Sequence, residues 1–228
     1  MTFSKKILSF FKSLHLHADL PPGVEVMNPF KDKSTFNLCD NFYSKYYNDN
    51  NSRRLILGIN PGRFGGGITG IPFTDPIRLQ TICGIENNFQ KKQELSSVFV
   101  YEMIHAFGGP EFFYNNFYIS SISPLGFTKD KKNLNYYDDR KLENSIKDFV
   151  IECLKQQLKF GLKTDMVFCF GEGKNLAYLT RLNNEMKFFD KIVDLPHPRF
   201  IMQYKLKKKD EYIDRYLREL SVVNNNKL

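Results

Sequence analysis

Residues 55–73 read LILGINPGRFGGGITGIPF. An apolar run, Leu55 to Leu57, enters a stretch with six glycines, two prolines and one amide, Asn60. Apolar residues bounded by Gly and Pro read as a buried strand that ends in a loop. Pro61 restricts the residue before it to extended geometry, so Asn60 is held at the strand end. The glycines let the backbone approach a ligand closely. An asparagine offers a donor and an acceptor together, enough to orient a water or pair with a base edge; the alternative is an Asn that caps its own turn. Two common Gly-rich motifs do not fit. A P-loop requires GxxxxGK[ST], and no Lys-Ser or Lys-Thr follows these glycines. A dinucleotide fingerprint requires prompt helix entry, whereas these glycines run into ITGIPFTDP with its two prolines.

Working outward, the strand covers residues 53–60, and three further segments read as buried strands: NFYISSIS (116–123), DMVFCFG (165–171) and FFDKIVDL (188–195). Helical patterns fall at 94–107, 138–160, 174–187 and 210–220, and after Ser34 in STFNLCDNFYSKYY. Strands alternating with helices predict an α/β fold: a central four-stranded, mainly parallel sheet flanked by helices. One domain is expected over residues 1–228. Its N-terminal helix carries Phe3, Ile7, Phe11 and Leu14 at helical spacing, and a proline-stiffened connector follows over 19–30. Ligands of such sheets bind beyond the carboxyl ends of the strands. The stretches there are NPGRFGGG, PLGF, GEGKN and PHPRF. GEGKN is too short to support a phosphate loop and reads as a helix start.

The chain of 228 residues carries a net charge of +8 and a pI of about 9.2. That balance suits a polyanionic partner, nucleic acid or an anionic membrane surface, or serves solubility alone. Cys39, Cys83, Cys153 and Cys169 form no CxxC pair, which argues against zinc, redox and iron–sulfur sites. They read as free thiols of a reducing compartment, so a cytoplasmic location is expected. The apolar N-terminal run is broken by Lys12, with no small-residue cleavage site after it, and no stretch is long enough for a membrane span.

GINPGRFGGGITGIPF resembles the water-positioning motif of the single-strand-selective monofunctional uracil-DNA glycosylases, within the uracil-DNA glycosylase superfamily. Those proteins carry Gly-Met-Asn-Pro-Gly-Pro-Phe-Gly, then Thr-Gly-Val-Pro-Phe at the spacing of Thr69 to Phe73. LPHPRF (195–200) resembles the family's leucine-His-Pro loop, YISSISPLGF its strand ending in Asn-Leu-Cys-Pro-Leu, and VEVMNP its Tyr-Asn-Pro element. The resemblance runs in order from about residue 24 to about residue 217. It implies a single α/β domain that hydrolyses the N-glycosidic bond of a damaged base flipped from DNA, with no metal or cofactor. By motif match, Asn60 positions the attacking water, while the Ile59 N–H and His197 bind the base O2. Phe73 stacks on the flipped ring, and residues 198–204 supply the wedge. The implied base-binding set is Ile59, Gly62, Phe64, Phe73 and Ser121, although Phe64 also reads as a core phenylalanine. The implied DNA-binding set is Arg63, Pro198, Arg199, Phe200, Met202, Lys205 and Lys207.

The chemistry fits these residue types. A base inside a duplex must be extruded before its sugar bond can be reached. The departing base carries negative charge, which a hydrogen bond from His197 stabilises. His15, His17 and His105 receive no role. Most glycosidases use two carboxylates. None stands beside Asn60, and the nearest, Asp75, is a secondary candidate for activating water. Asn60 is therefore expected to position water rather than act as a strong base.

Two departures from the family matter. Ser121 stands where the family has an Asn that reads the uracil edge. A hydroxyl rotates and serves as donor or acceptor, so uracil is expected as substrate with xanthine or hydroxymethyluracil also accepted. The wedge reads RFIMQYK in place of Ser-Pro-Arg-Asn, which leaves Arg199, Phe200 and Met202 as candidates to prise base steps apart. KLKKK (205–209), and more weakly TKDKKN (128–133), suits phosphate contacts; a solvated helix start is the other reading of the first. The expected partner is DNA, single- or double-stranded, with no membrane and a monomeric protein. The competing class is a non-catalytic reader of damaged or single-stranded DNA with the same aromatic pocket and basic face. A lyase would need a nucleophilic amine, for which Lys174 is the candidate.

Overall fold

The computed structural model describes residues 1–221, so the expected domain of 1–228 runs seven residues beyond them. The N-terminal helix α1 (Phe3–Ser13) buries Phe3, Ile7, Phe10 and Phe11. The connector is extended only over Val24–Met27, which forms strand β1, between a turn at Pro22–Gly23 and a 3-10 turn at Pro29–Lys31. Helix α2 (Lys33–Tyr46) starts one position earlier than the Ser34 reading, because Asp32 caps it: its carboxylate accepts the Thr35 N–H at 2.8 Å.

Strand β2 (Arg54–Gly58) is buried along its whole length, as a continuous apolar run covered on both faces requires. After it come the short helices α3 (Gly66–Thr69) and α4 (Pro76–Thr81), then α5 (Leu95–Ala106) and α6 (Pro110–Asn116). Strand β3 (Phe117–Ser121) follows, and then a hairpin of β4 (Gly126–Lys129) and β5 (Lys132–Leu134). The expected long helix over 138–160 is two: α7 (Arg140–Ser145), capped by Asp139, and α8 (Lys147–Leu158). The break falls at Ile146, whose ψ of 1° leaves the helical region. The last part of the chain holds β6 (Lys163–Phe170), α9 (Lys174–Met186), β7 (Lys191–Leu195), α10 (Pro198–Tyr204) and α11 (Lys209–Ser221).

The main sheet has the order β3-β2-β6-β7, with every pairing parallel. Gly58 sits opposite Ser121, and Phe170 opposite Leu195, so the strands end together at one edge. A second, antiparallel sheet, β1-β4-β5, lies apart from it. The TKDKKN patch is the turn of this hairpin: Asp130 and Lys131 both take left-handed backbone angles (φ 49° and 58°), as a two-residue hairpin turn demands.

At the opposite, amino end of the main sheet, Arg53 is completely buried. Its guanidinium donates to Tyr114 O at 2.7 Å and to both Asp49 carboxylate oxygens at 2.8 Å. It also lies 4.9 Å from the Phe3 ring centroid and 4.7 Å from that of Tyr47. One cation thus ties α1, α2 and the start of β2 together.

Candidate active site

A cleft of about 610 Å³ opens at the carboxyl edge of the main sheet. Asn60, Ile59, Gly62, Phe73, Ser121 and His197 all line it, together with Arg199 and Phe200. The sequence motifs, far apart along the chain, meet because β3, β2 and, across β6, β7 all end at the same edge of the sheet.

Asn60 is clamped by backbone. Its Nδ2 donates to Leu134 O at 3.2 Å, and its Oδ1 accepts the Tyr136 N–H at 3.1 Å. The partner segment is the stretch after β5, so the small sheet that sequence reading missed is what orients the amide. Thr69 holds the next part of the loop: its hydroxyl donates to Thr74 O at 2.6 Å and accepts the Ile71 N–H at 3.2 Å. Phe73, within that turn, is forced to φ 55°, a strained setting for a bulky residue. Its ring lies 5.8 Å from the His197 ring and 5.3 Å from Phe170. Gly58 permits this, since a Cβ there would stand 2.8 Å from the Phe73 ring.

His197 caps α10, and its Nδ1 accepts the Arg199 N–H at 3.1 Å. The neutral ring therefore carries its proton on Nε2. Desolvation, with the Arg199 guanidinium adding to it, holds the imidazole down to about 4, so it is uncharged near neutral pH. The preceding turn is pinned by Tyr216, whose hydroxyl donates to Pro196 O. Ser121 is buried and its hydroxyl makes no hydrogen bond to protein among the described residues. Asn175, unnoticed in the sequence, braces the floor: it donates to Phe170 O at 3.1 Å and accepts the Tyr136 hydroxyl at 2.7 Å.

Several expected contacts lie elsewhere. Phe64 is outside the cleft, with its ring covered by the Lys92 ammonium at 3.6 Å and the Arg63 guanidinium at 4.9 Å. Arg63 is thereby turned away too. Asp75 is a structural cap, wholly buried, accepting the Arg78 N–H at 2.8 Å and the Glu94 N–H at 2.9 Å. The segment after His197 is a helix rather than a loop, because Pro198 occupies its first turn, where a missing N–H costs nothing. Helical spacing then sorts the wedge candidates. Arg199, Phe200, Gln203 and Tyr204 share the cleft face, while Met202 packs on the core and Pro198 is buried. Gln203 and Tyr204 were missed because the segment reads as a loop. Lys205 and Lys207 are exposed on the turn after α10. Lys174 lines the cleft, its ammonium 5.8 Å from the Tyr137 ring. Among the described residues, no group of three or more His, Cys, Asp or Glu could hold a metal ion, and no helix is long and apolar enough to cross a membrane.

A parallel α/β sheet that presents an amide, a neutral imidazole and an aromatic face at its carboxyl edge has the parts a base-removing hydrolase needs. The chain belongs to the Uracil DNA glycosylase superfamily, whose sequence pattern matches residues 44–221. It is a DNA glycosylase, a hydrolase of the bond between base and sugar. Among solved structures it is similar to wild-type SMUG2 of Pedobacter heparinus. The two are 53% identical, with a TM-score of 0.97, and the match covers 99% of each chain. No curated protein matches the sequence.

Proposed function

We propose that this glycosylase excises uracil, and with lower selectivity xanthine and hydroxymethyluracil, from DNA by flipping the base into the cleft. Its product is an abasic site, the entry point of base excision repair. The observation that carries the reading is the grouping of Asn60, Phe73 and a neutral, Nε2-protonated His197 around one cleft. The flipped base stacks on Phe73. His197 Nε2–H donates to the base O2 as the bond breaks; a neutral donor matched to a developing anion is what preorganised stabilisation requires. Asn60, fixed through Leu134 and Tyr136, holds the water, and the Ile59 N–H shares the O2 contact. The free hydroxyl of Ser121 supports tolerance at the pyrimidine edge, since it serves as donor or acceptor. Arg199 and Phe200, on the exposed face of α10, are the wedge, while Lys205 and Lys207 contact phosphates.

The test is release of free base from a uracil oligonucleotide under excess enzyme. Asn60→Ala and His197→Ala are each expected to lose at least about 10² in rate, the usual effect of removing one preorganised group. Unchanged release in both variants, or none from wild type, overturns the reading.

A further inference from the structure

Glu94 is a polar group of the cleft that the motifs leave unassigned. It occupies the N-cap of α5, yet its carboxyl caps no helix N–H. The carboxyl lies instead against the glycine loop that follows Asn60. A Cβ on Gly65 would overlap Oε2, and one on Gly62 would stand 3.4 Å from Oε1. Two glycines of the motif thus make room for an acid 29 to 32 positions further along the chain. Oε2 is buried and has no hydrogen-bond partner among the described residues. Buried polar atoms are almost always paired, and an exception calls for an explanation.

A carboxylate that lines the cleft with no donor from the described residues calls for one from the substrate, and the reaction brings few. Internal phosphodiesters and deoxyribose carry none. The donors are the N–H groups of the base and the attacking water. Asn60 cannot fully hold that water: its Nδ2 is engaged by Leu134 O and one lone pair of Oδ1 by the Tyr136 N–H. One lone pair remains, enough for one of the two water hydrogens. We propose that the Glu94 carboxylate accepts the other, and then takes that proton as the water attacks. This inference rests on the glycosylase reading above. The water oxygen bonds to C1′ while the C1′–N bond breaks. The bonding pair leaves with the base, facing His197. The proton passes to the Glu94 carboxylate, and from there to solvent after the base departs. The carboxylate also opposes the positive character that develops on the sugar.

The charged groups around Glu94 are Asp75 and Arg78 at the start of α4 and Arg199 on α10. Arg63, in the glycine loop, is turned onto Phe64. Burial first, then Asp75, pushes the carboxyl up to about 7, with Arg199 opposing. Excision should therefore rise with pH and level off near that value.

The experiment measures kcat/KM for uracil release from a single-stranded oligonucleotide between about pH 5 and 9, for wild type, Glu94→Gln and Gly65→Ala. Glu94→Gln is expected to be about 10²-fold slower at the high-pH plateau and to lose the limb near neutrality. Binding of an uncleavable 2′-fluoro-uridine oligonucleotide should be unchanged. Gly65→Ala displaces the carboxyl without deleting it and should slow release in the same direction, which keeps the test alive if Glu94→Gln folds poorly. A Glu94→Gln enzyme with the wild-type rate, or with the limb in place, overturns the inference alone. A wild type that releases no base fells the glycosylase reading along with it.

Discussion

Arg53 and Glu94 are both ionisable side chains turned into the protein, at opposite ends of one parallel sheet. Arg53 spends its donors on Asp49, Asn51 and Tyr114, and its flat faces meet Phe3 and Tyr47. Glu94 has an oxygen with no partner among the described residues. The same holds around it: among the described residues, the Ser121 hydroxyl and the His197 Nε2 have no hydrogen bond to protein. Around Arg53 the polar groups that meet it are paired within the chain, whereas these three cleft groups lie unpaired where a substrate can complete them.

The largest way to break this contrast is at Arg53. Arg53→Met is expected to remove about 1–3 kcal/mol of stability, because it leaves the buried Tyr114 carbonyl without its donor, while the partly exposed Asp49 keeps the Asn51 N–H. Urea denaturation reads that loss. The folded fraction should excise uracil at the wild-type rate, since Arg53 lies at the far end of the sheet. A stability change under about 1 kcal/mol would mean the cation is no more than a surface pair. His197→Ala reverses the pattern: it costs one helix cap, about 1 kcal/mol, against a far larger loss of rate.

A smaller effect sharpens the contrast inside the cleft. Ser121→Asn replaces a rotating hydroxyl with an amide that fixes donor and acceptor together. Excision of xanthine and hydroxymethyluracil relative to uracil should fall by about tenfold, within the range one pocket contact supplies. Competition assays on matched oligonucleotides measure the ratio. An unchanged ratio would show that Ser121 does not read the base.

The two ends also differ in how much of them is legible in sequence. The strands of the main sheet are, because apolar runs such as Leu55–Leu57 and Val167–Phe170 are buried on both faces and bounded by turn residues. Asn60, Phe73 and His197 are legible too, through local motifs at strand ends. What holds them is not. β4, β5 and the turn between them carry Lys129, Asp130, Lys131, Lys132 and Asn133, and read as a charged loop. Leu134 and Tyr136 nonetheless clamp Asn60 through backbone atoms, which leave no side-chain signature. Residues 198–204 look like a loop until Pro198 is recognised as a helix start, and only then do Gln203 and Tyr204 fall on the face of Arg199 and Phe200. Phe64 is drawn to the Lys92 ammonium rather than to the cleft. Glu94 gives the faintest signal, two glycines spaced to admit something, with no indication of what.

The smallest effect is on stability against pH, and it separates the two titrating groups of the cleft. Glu94 has its carboxyl raised from the ordinary 4.5 to about 7. Between those values the folded chain keeps a proton that the unfolded chain has released, so this group's contribution falls as pH rises through about 7. His197 is lowered from 6.5 to about 4. There the unfolded chain holds the extra proton, so stability falls as pH drops from 6.5 towards 4. The two oppose each other between 4.5 and 6.5, and above 6.5 only Glu94 still acts. The thermal midpoint of wild type should therefore decline from about pH 6.5 to 8, and that of Glu94→Gln should decline less. Below pH 6 the order changes: His197→Ala should lose less on acidification than wild type, because it has no imidazole to charge on unfolding. Parallel curves for all three proteins would mean that solvent reaches both groups freely, and that the cleft is wetter than its unpaired oxygen implies.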